Sequence, residues 1–410
     1  MVRFATYDGP QDGEWFVVGL RRDDAAGGSR DSIAAVAAED VSHIAVVNPE
    51  LERLLPDWAP RLLEELPAGT ASASVLVALR ECPWPEARSD GRIYSFIATA
   101  DVFRKVLQLA PDARPWHLCF QLLHAALNGT LPLDKLIIRQ LPYPSLPAPP
   151  SELPPTSVIM PHRGNPQYLR TALYFVDRLE GARLETLIGL DMDDPAEYRP
   201  LSEEYTKASF FRIQPAPSGP YVIRQELARR ASPEFLMLHD SDDVSCADRI
   251  TTLHAEMRAS NSDFVGSHEL RVDVESGEIF AIRFPLDVIA ALRERPGHAL
   301  LHPTGMIRRE AFFHTGGLST DQFIANDTQF LFRAFFYLKI RNTNAFLYIR
   351  RRHPDALTVA PATANGIPLR INLDRQWRAD FERIKQGQLA LEHSSLRPMT
   401  AIQEHRLVAL

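Results

Sequence analysis

Cysteine is scarce in this sequence, which narrows the kinds of site it can build. The 410 residues include three cysteines: Cys82, Cys119 and Cys246. They form no CxxC pair and show no regular spacing, so neither a disulfide framework nor a cysteine-rich zinc site is expected. A reducing cytoplasm is the simplest setting for such a chain.

Long apolar runs and an excess of positive charge are missing as well. No run approaches the ~18 apolar residues of a membrane span, and Asp8, Asp12 and Glu14 interrupt the region where a signal peptide would be apolar. We therefore expect a cytoplasmic protein that can reach a membrane lipid only from the membrane surface. The formal net charge is -7, whereas nucleic-acid-binding proteins usually carry an excess of positive charge. No nucleic-acid partner is therefore expected.

Proline marks the clearest boundary along the chain. Seven prolines fall within residues 142–155, a density that favours extended backbone and prevents a helix. At 410 residues the chain exceeds the usual size of one hydrophobic core, so two domains, or one domain with large additions, are expected. We predict four segments: an N-terminal domain over 1–141, a Pro-rich linker over 142–155, a larger domain over 156–360 and a helical C-terminal extension over 361–410.

The N-terminal segment has the pattern of a smaller α/β domain. Four apolar runs predict short strands, at 15–20, 43–47, 74–79 and 94–98. Helical spacing follows over Val102–Leu109 and again from Leu118 to Ala126. This part carries no catalytic motif, and its role stays open between acceptor binding, self-association and placement near a carrier.

Beyond the linker, predicted strands and helices alternate. The strands are Ser157–Met160, Leu184–Leu190 and Phe235–Leu238, and the helices have apolar faces within 169–179, 221–230 and 250–257. This alternation predicts an α/β fold with a doubly wound, mostly parallel sheet covered on both faces. In such sheets ligands bind at the carboxyl ends of the strands.

Acidic residues stand directly after two of these strands. Three carboxylates fall within residues 191–194, and three more follow the next strand at Asp240, Asp242 and Asp243. Carboxylates this close together repel one another unless a cation or solvent relieves the repulsion. Oxygen ligands at this spacing suit Mn2+ or Mg2+, which also binds substrate phosphates. The alternative is that Asp243 merely favours the start of the next helix while Asp240 and Asp242 lie in water.

Glycine-rich phosphate loops are absent from the places where they would be expected. The turn after the first strand beyond the linker, residues 161–166, reads PHRGNP and contains a single glycine. That disfavours the phosphate-cradling loop of a sugar nucleotidyltransferase. Because no GxGxxG follows a strand, a nicotinamide-dependent dehydrogenase is disfavoured further.

The segment from 156 to about 358 resembles the family 2 glycosyltransferases. The strand ending in Pro161, His162 and Arg163 resembles the family's opening strand and turn, which wrap the nucleotide base. Asp191 matches the acidic residue that reads the base in that family. The resemblance implies a GT-A-type fold and a nucleoside-diphosphate sugar donor, with a UDP-sugar favoured.

The central motif of this resemblance is Asp240-Ser241-Asp242, which falls at the place of the family's DXD element. The resemblance implies that Asp240 and Ser241 face the donor sugar or ribose. It implies that Asp242, helped by Asp240 or Asp243, binds Mn2+ or Mg2+ together with the diphosphate.

Two further segments follow the family's order. Gly219 precedes Arg224-Gln225 by the same interval at which a family glycine precedes an Arg-Asn pair. This match implies that Arg224 contacts the donor. Gln225 departs from the pattern, because it is longer than asparagine by one methylene. The segment 302–309 resembles the strand and loop that border the acceptor pocket, which implies acceptor or phosphate contacts from Thr304 and Gly305.

The pair Asn326-Asp327 occupies the place of the family's Glu-Asp pair, and Asn326 is the main departure from the pattern. The resemblance implies that Asp327 is the catalytic base, which must lie within hydrogen-bond reach of the acceptor hydroxyl. The alternative is that Asp327 caps the apolar helix predicted over 330–338.

Residues 350–353 form a short basic cluster, Arg-Arg-Arg-His. Within it, Arg351-Arg352-His353, followed by Ala356-Leu357-Thr358, resembles the family's closing basic segment. His353 is expected to complete the metal shell or, with Arg351 and Arg352, to contact the leaving phosphates. The alternative is a solvated loop.

The resemblance as a whole implies a hexosyltransferase-like, inverting enzyme. Its acceptor would be a glycan, a lipid-linked sugar or a small molecule, and self-association stays open. One alternative is a non-catalytic nucleotide-sugar- or carbohydrate-binding protein of the same fold, which the altered Asn326 and Gln225 permit. A second alternative is a sugar nucleotidyltransferase.

Overall fold

The computed structural model describes residues 3–8, 14–20, 42–47, 65–67, 69–78, 92–111, 115–140, 150, 152–181, 183–275 and 279–410. The chain divides into two compact units, one of residues 1–145 with 270–282 and one of residues 146–269 with 283–410. Most of the predicted linker, residues 142–149 and 151, lies outside the described residues. The boundaries of the four predicted segments stay predictions.

The described residues of the first unit form a mixed sheet and two helices. Its strands run in the order β1-β2-β3-β5-β4-β6, and β4 and β6 pair in parallel, whereas the other neighbours are antiparallel. The strands are β1 Arg3–Asp8, β2 Glu14–Leu20, β3 His43–Val47, β4 Ser72–Ala78, β5 Arg92–Thr99 and β6 Lys135–Gln140. The helices are α1 Ala100–Leu109 and α2 Pro115–Leu127. The four predicted strands and both predicted helices are present, whereas β1 and β6 were not predicted.

The second unit is built on a large sheet whose centre is parallel. Among the described residues the strand order of this sheet is β11-β15-β12-β14-β10-β7-β8-β9-β16. Strand β13, which pairs with β12, and the last four residues of β12 belong to residues 270–282 of the first unit. Strands β10, β7, β8 and β9 pair in parallel, while β14 and β16 flank them antiparallel. The strands are β7 Thr156–His162, β8 Leu184–Leu190, β9 Ala208–Gln214, β10 Phe235–Leu238, β11 Val244–Ser245, β12 Phe264–Asp273, β13 Ile279–Ile282, β14 Met306–Arg308, β15 Ile340–Arg352 and β16 Arg406–Ala409.

Helices cover both faces of this sheet. Alternation along β7 sends Val158 and Met160 into one apolar cluster and Ile159 into the other. The helices are α3 Pro166–Val176, α4 Arg199–Glu204, α5 Pro220–Arg230, α6 Arg249–Ser260, α7 Val288–Glu294, α8 Arg309–His314, α9 Asn326–Ala334 and α10 Pro368–Lys385. Helices α3 and α6 contribute to the first cluster, and α5 and α9 to the second. The predicted α/β fold with a parallel sheet covered on both faces is confirmed.

Two features of the second unit matter for the site. Helix α5 lies very close to β8, because a Cβ added to Gly189 would stand 2.2 Å from the side chain of Ile223. Helix α10 packs on α9 through Phe381, whose ring centroid lies 5.1 Å from that of Phe332. No helix among the described residues is both long and apolar enough to cross a membrane.

Candidate active site

The carboxyl ends of three neighbouring parallel strands carry His162, Asp191 and the acidic segment 239–243. His162 ends β7, Asp191 follows β8, and the acidic segment 239–243 follows β10. The register pairs His162 with Leu190 and Leu238 with Ile159, so these ends meet at one edge of the sheet. Ligands of doubly wound sheets bind at this edge.

Three carboxylates converge after β10, and we call Asp240, Asp242 and Asp243 the acidic cluster. One carboxylate oxygen from each lies within 4.8 Å of the others. The side chains of Asp240 and Asp242 are 34% and 30% exposed, whereas Asp243 is only 1% exposed. Burial, together with the two neighbouring carboxylates, raises the pKa of Asp243 well above its ordinary value. Oxygen donors that meet at a partly open edge fit a hard divalent cation, which would relieve this repulsion.

Asp242 is the member of the cluster that is best stabilised as an anion. Burial alone would raise its pKa, but the hydrogen bond from His353 and the charge of Arg351 lower it. His353 Nε2 lies 2.8 Å from Asp242 Oδ2, and the imidazole packs on the ring of Tyr168 at 4.6 Å between centroids. His353 Nδ1 is buried and has no hydrogen-bond partner among the described residues. His353 therefore contacts the predicted metal site through the carboxylate of Asp242.

Asp240 is held from two sides. The buried Arg224 guanidinium donates to Asp240 Oδ1 and forms an ion pair with it. The backbone N–H of Asp240 donates to the hydroxyl of Tyr348 at 3.1 Å. Burial and the neighbouring Asp242 raise the pKa of Asp240, while Arg224 opposes the rise. Arg224 is thus placed at the acidic cluster, where the resemblance expects a donor contact.

The Arg-Arg-Arg-His segment divides between the interior and the surface. Arg351 is buried beside the acidic cluster, where its backbone N–H donates to Asp243 Oδ1 at 2.8 Å and its guanidinium donates to the Asp242 carbonyl. Arg350 is close enough to attract all three carboxylates of the acidic cluster. Arg352 is exposed. Arg350, which was not among the predicted site residues, is therefore a further positive charge at this edge.

A chain of hydrogen bonds joins Ser241 to the end of β7. Tyr198 donates its single hydroxyl proton to the Gly164 carbonyl, so it accepts from His162 Nε2 at 3.0 Å. His162 Nδ1 must then accept from the Ser241 hydroxyl at 2.7 Å. Burial lowers the pKa of His162 to about 4, which keeps the ring neutral near pH 7. Of the predicted neighbours, Pro161 is buried and Arg163 is exposed.

Asp191 uses both carboxylate oxygens inside the protein. Its Oδ1 accepts from the backbone N–H of Ser218 at 2.7 Å, and its Oδ2 accepts from that of Gly219 at 3.0 Å. Gly219 has φ of +89° and stands at the N-cap of α5. Asp191 thus fixes the start of α5, and its predicted contact with a nucleotide base would have to be added to these bonds.

Asp327 lies in the first turn of α9 and is partly buried. The Tyr221 hydroxyl donates to Asp327 Oδ1 at 3.0 Å. Burial alone would raise the pKa of Asp327, but His302 and His298, together with the Tyr221 hydrogen bond, hold it below its ordinary value. The N-cap of α9 is Ala325, in the left-handed region at φ +64°, so the alternative role of Asp327 as N-cap is not observed.

The two departures from the family pattern both have structural partners. Asn326 is fully buried, and its amide nitrogen donates to the carbonyls of Ser319 and Gln322, each at 2.8 Å. Gln225 Oε1 accepts from the backbone N–H of Leu318 at 2.8 Å. Each side chain therefore ties down the loop that precedes Asp327, a role that a glutamate at 326 could not perform, because it has no amide donor.

Thr304 and Gly305 are buried rather than presented at the surface. The Thr304 hydroxyl donates to the Leu301 carbonyl at 2.7 Å and accepts from the Ser267 N–H at 3.2 Å. Gly305 packs against Phe264, since an added Cβ would lie 2.3 Å from the ring. The structure does not bring Thr304 into position for a direct acceptor contact, because its hydroxyl is already used inside the protein.

Three tyrosines whose hydroxyls bind candidate site residues were not predicted from the sequence: Tyr198, Tyr221 and Tyr348. Each contacts a candidate residue that is far away along the chain, at sequence separations of 36, 106 and 108 residues. Tyr198 ends a short 3-10 helix, Tyr221 lies in α5 and Tyr348 in β15, and a single tyrosine in such an element carries no local signal of this role. Tyr221 and Tyr348 both stand near predicted motifs, the first two residues after Gly219 and the second two residues before Arg350.

Comparisons with known proteins identify only distant likenesses. No protein-family model matches this sequence, and no curated protein matches it. Among solved structures, residues 1–349 of S. aureus TarS in complex with UDP are similar over 58% of this chain and 72% of that chain, with 16% identity and a TM-score of 0.41. The mannosyltransferase PcManGT from Pyrobaculum calidifontis, in complex with GDP-Man and Mn2+, is similar over 66% of this chain and 72% of that chain, with 12% identity and a TM-score of 0.41. Values this low leave the function to be argued from the residues of this chain.

Proposed function

We propose that this chain is a metal-dependent, inverting glycosyltransferase of the family 2 type, which transfers a sugar from a nucleoside-diphosphate donor to an acceptor hydroxyl. The observation that carries the proposal is the acidic cluster, whose three carboxylate oxygens meet within 4.8 Å at the carboxyl end of β10. The ordered motif resemblance from 156 to about 358 supports the same interpretation.

The donor side of the proposed site is built around Asp242, with Asp240 and Asp243 as the other metal-holding residues. A bound Mn2+ or Mg2+ would neutralise charge on the diphosphate as it leaves. His353 would hold the Asp242 carboxylate in place through Nε2, while its Nδ1 has no hydrogen-bond partner among the described residues. Arg350 adds positive charge on the same side.

Asp327 is the proposed base. Its carboxylate takes the proton of the acceptor hydroxyl, while the acceptor oxygen forms a bond to the anomeric carbon and the bond from that carbon to the diphosphate breaks. The electron pair of the broken bond leaves with the diphosphate. Because Asp327 has a lowered pKa, it is deprotonated and ready to accept the proton near pH 7. Attack from the face opposite the leaving group inverts the anomeric carbon.

Binding of UDP and of GDP, each with and without Mn2+, tests the donor site. We expect one nucleotide, with UDP favoured, to bind only when the metal is present. Asp242→Asn keeps the shape of the side chain but removes its charge, and should weaken metal-dependent binding at least about tenfold. Asp177→Asn is the matched control, because Asp177 forms a surface ion pair with Lys207 at 3.5 Å, and such pairs contribute little.

The outcomes separate the alternatives. Binding of neither nucleotide by folded protein, or equal binding by Asp242→Asn, would exclude the proposed donor site. Metal-dependent binding without donor hydrolysis or sugar transfer would favour the non-catalytic nucleotide-sugar-binding protein. If transfer occurs, Asp327→Asn should abolish it while nucleotide binding stays intact.

A further inference from the structure

The phenol of Tyr221 makes a direct contact with the proposed base. Its hydroxyl lies 3.0 Å from Asp327 Oδ1 and donates to it. The Tyr221 side chain is almost wholly enclosed, with 7% of the residue exposed, whereas Asp327 is partly open. A neutral donor bound to one carboxylate oxygen restricts rotation of the carboxylate and leaves its other oxygen for a second partner.

The start of α5 fixes the backbone that carries Tyr221. Asp191 binds the N–H groups of Ser218 and Gly219, which lie immediately before the helix. One turn later, Ile223 packs over the bare Cα of Gly189. Tyr221 therefore stands between two anchoring points, and its hydroxyl has little freedom to move.

The same face of α5 also binds the other half of the site. Arg224, three residues after Tyr221, forms an ion pair with Asp240 of the acidic cluster. Gln225, four residues after Tyr221, binds the backbone of Leu318 in the segment that leads to Asp327. One helix thus connects the proposed metal-holding carboxylates to the proposed base.

We propose that Tyr221 is a positioning residue, whose hydroxyl orients the Asp327 carboxylate toward the acceptor and stabilises its charged form. This inference rests on the proposed function, in which Asp327 is the base. Burial, followed by the nearby Asp327 charge, raises the pKa of Tyr221 well above its ordinary value, so the phenol stays protonated and acts as a donor. The other charged and titratable groups near this pair are His302, His298, Arg224 and Arg370.

Tyr221→Phe removes this one hydrogen bond and keeps the ring. We expect kcat to fall about ten- to a hundredfold, the range for a hydrogen bond to a charged group, with the donor KM within about twofold of wild type. Because the lost bond stabilises the carboxylate, the pKa of Asp327 should rise. The acid limb of the kcat/KM profile should therefore move to higher pH.

Tyr205→Phe is the control variant. It also removes a partly buried phenol hydroxyl, one that lies 3.4 Å from the Arg170 carbonyl, and it should leave both kcat and the acid limb unchanged. NMR of protein labelled with 13C at aspartate carboxyls gives a readout that does not depend on turnover. The Asp327 signal, assigned by its absence from Asp327→Asn, should titrate at higher pH in Tyr221→Phe than in wild type.

A folded Tyr221→Phe variant with the kcat, acid limb and Asp327 titration of wild type would overturn the inference. A variant that loses stability but keeps the acid limb and the titration would also overturn it, because that is the result of a merely structural role. Failure of the proposed function is recognised separately, by transfer activity that survives Asp327→Asn.

Discussion

Replacing Asn326 with aspartate tests why this chain departs from the family's acidic pair. The side chain is fully buried, and its amide nitrogen donates to two backbone carbonyls at 2.8 Å, those of Ser319 and Gln322. Aspartate has the same shape but presents oxygen where the amide has N–H. A buried carbonyl left without its donor costs about 1–3 kcal/mol. Because the bond to Ser319 is buried and the bond to Gln322 is only partly buried, the substitution should cost about 1–5 kcal/mol. That is a large share of the roughly 5–15 kcal/mol that stabilises an ordinary domain.

The cost of Asn326→Asp should depend on pH. A protonated carboxyl can donate to one of the two carbonyls, and a carboxylate to neither, so folding should raise the pKa of the introduced carboxyl above its unfolded value of about 3.9. A carboxyl with a raised folded pKa destabilises the protein progressively as pH rises above the unfolded pKa, by about 1.4 kcal/mol per pH unit, until the folded pKa is reached. The stability gap to wild type should therefore be wider at neutral pH than in mild acid.

Urea unfolding followed by circular dichroism, at a mildly acidic and at a neutral pH, measures both effects. Asn365→Asp makes the same change of charge at an exposed position and should stay within about 0.5 kcal/mol of wild type at either pH. If Asn326→Asp were as stable as wild type at neutral pH, the assigned role of the amide would be refuted. A gap of equal size at both pH values would refute the protonation argument.

Two further substitutions test the packing around the site. Gly305→Ala would place a Cβ 2.3 Å from the buried ring of Phe264 and should lower the free energy of unfolding in urea by about 1–3 kcal/mol. Gly297→Ala is its control, because a Cβ there meets nothing within 4 Å, and it should lower that free energy by less than about 0.5 kcal/mol. Arg333→Met removes a buried guanidinium that donates to the backbone carbonyls of residues 315, 317 and 396, and should cost at least about 3 kcal/mol and lower the Tm. The exposed Arg383→Met is its control, and equal Tm values for the two variants would contradict this role.

Three of the four parallel strands at the centre of the large sheet could be predicted because their signals are local, whereas β9 was not predicted. Strands β7, β8 and β10 are short apolar runs, and the helices between them repeat apolar residues at helical spacing. The antiparallel strands β12 and β15 and the terminal strand β16 were not predicted. Their pairing depends on partners far along the chain, as when Arg406 of β16 lies opposite Gln214 of β9.

The acidic cluster illustrates what the sequence by itself determined. Its three carboxylates lie within four residues after a buried strand, so their proximity follows from the local chain and needs no distant partner. The same is true of the strand ends that carry His162 and Asp191, because parallel strands place their carboxyl ends at one edge.

Only the tertiary structure decided which groups these residues bind. Asp191 binds the backbone at the start of α5, and the buried Thr304 hydroxyl binds the Leu301 carbonyl. His353 binds Asp242, which lies 111 residues earlier in the sequence. The hydroxyl of Tyr221 met Asp327 in the same way. Hydrogen bonds act over about 3 Å, so a donor and an acceptor separated along the chain become partners only when the packing of the whole unit brings them together.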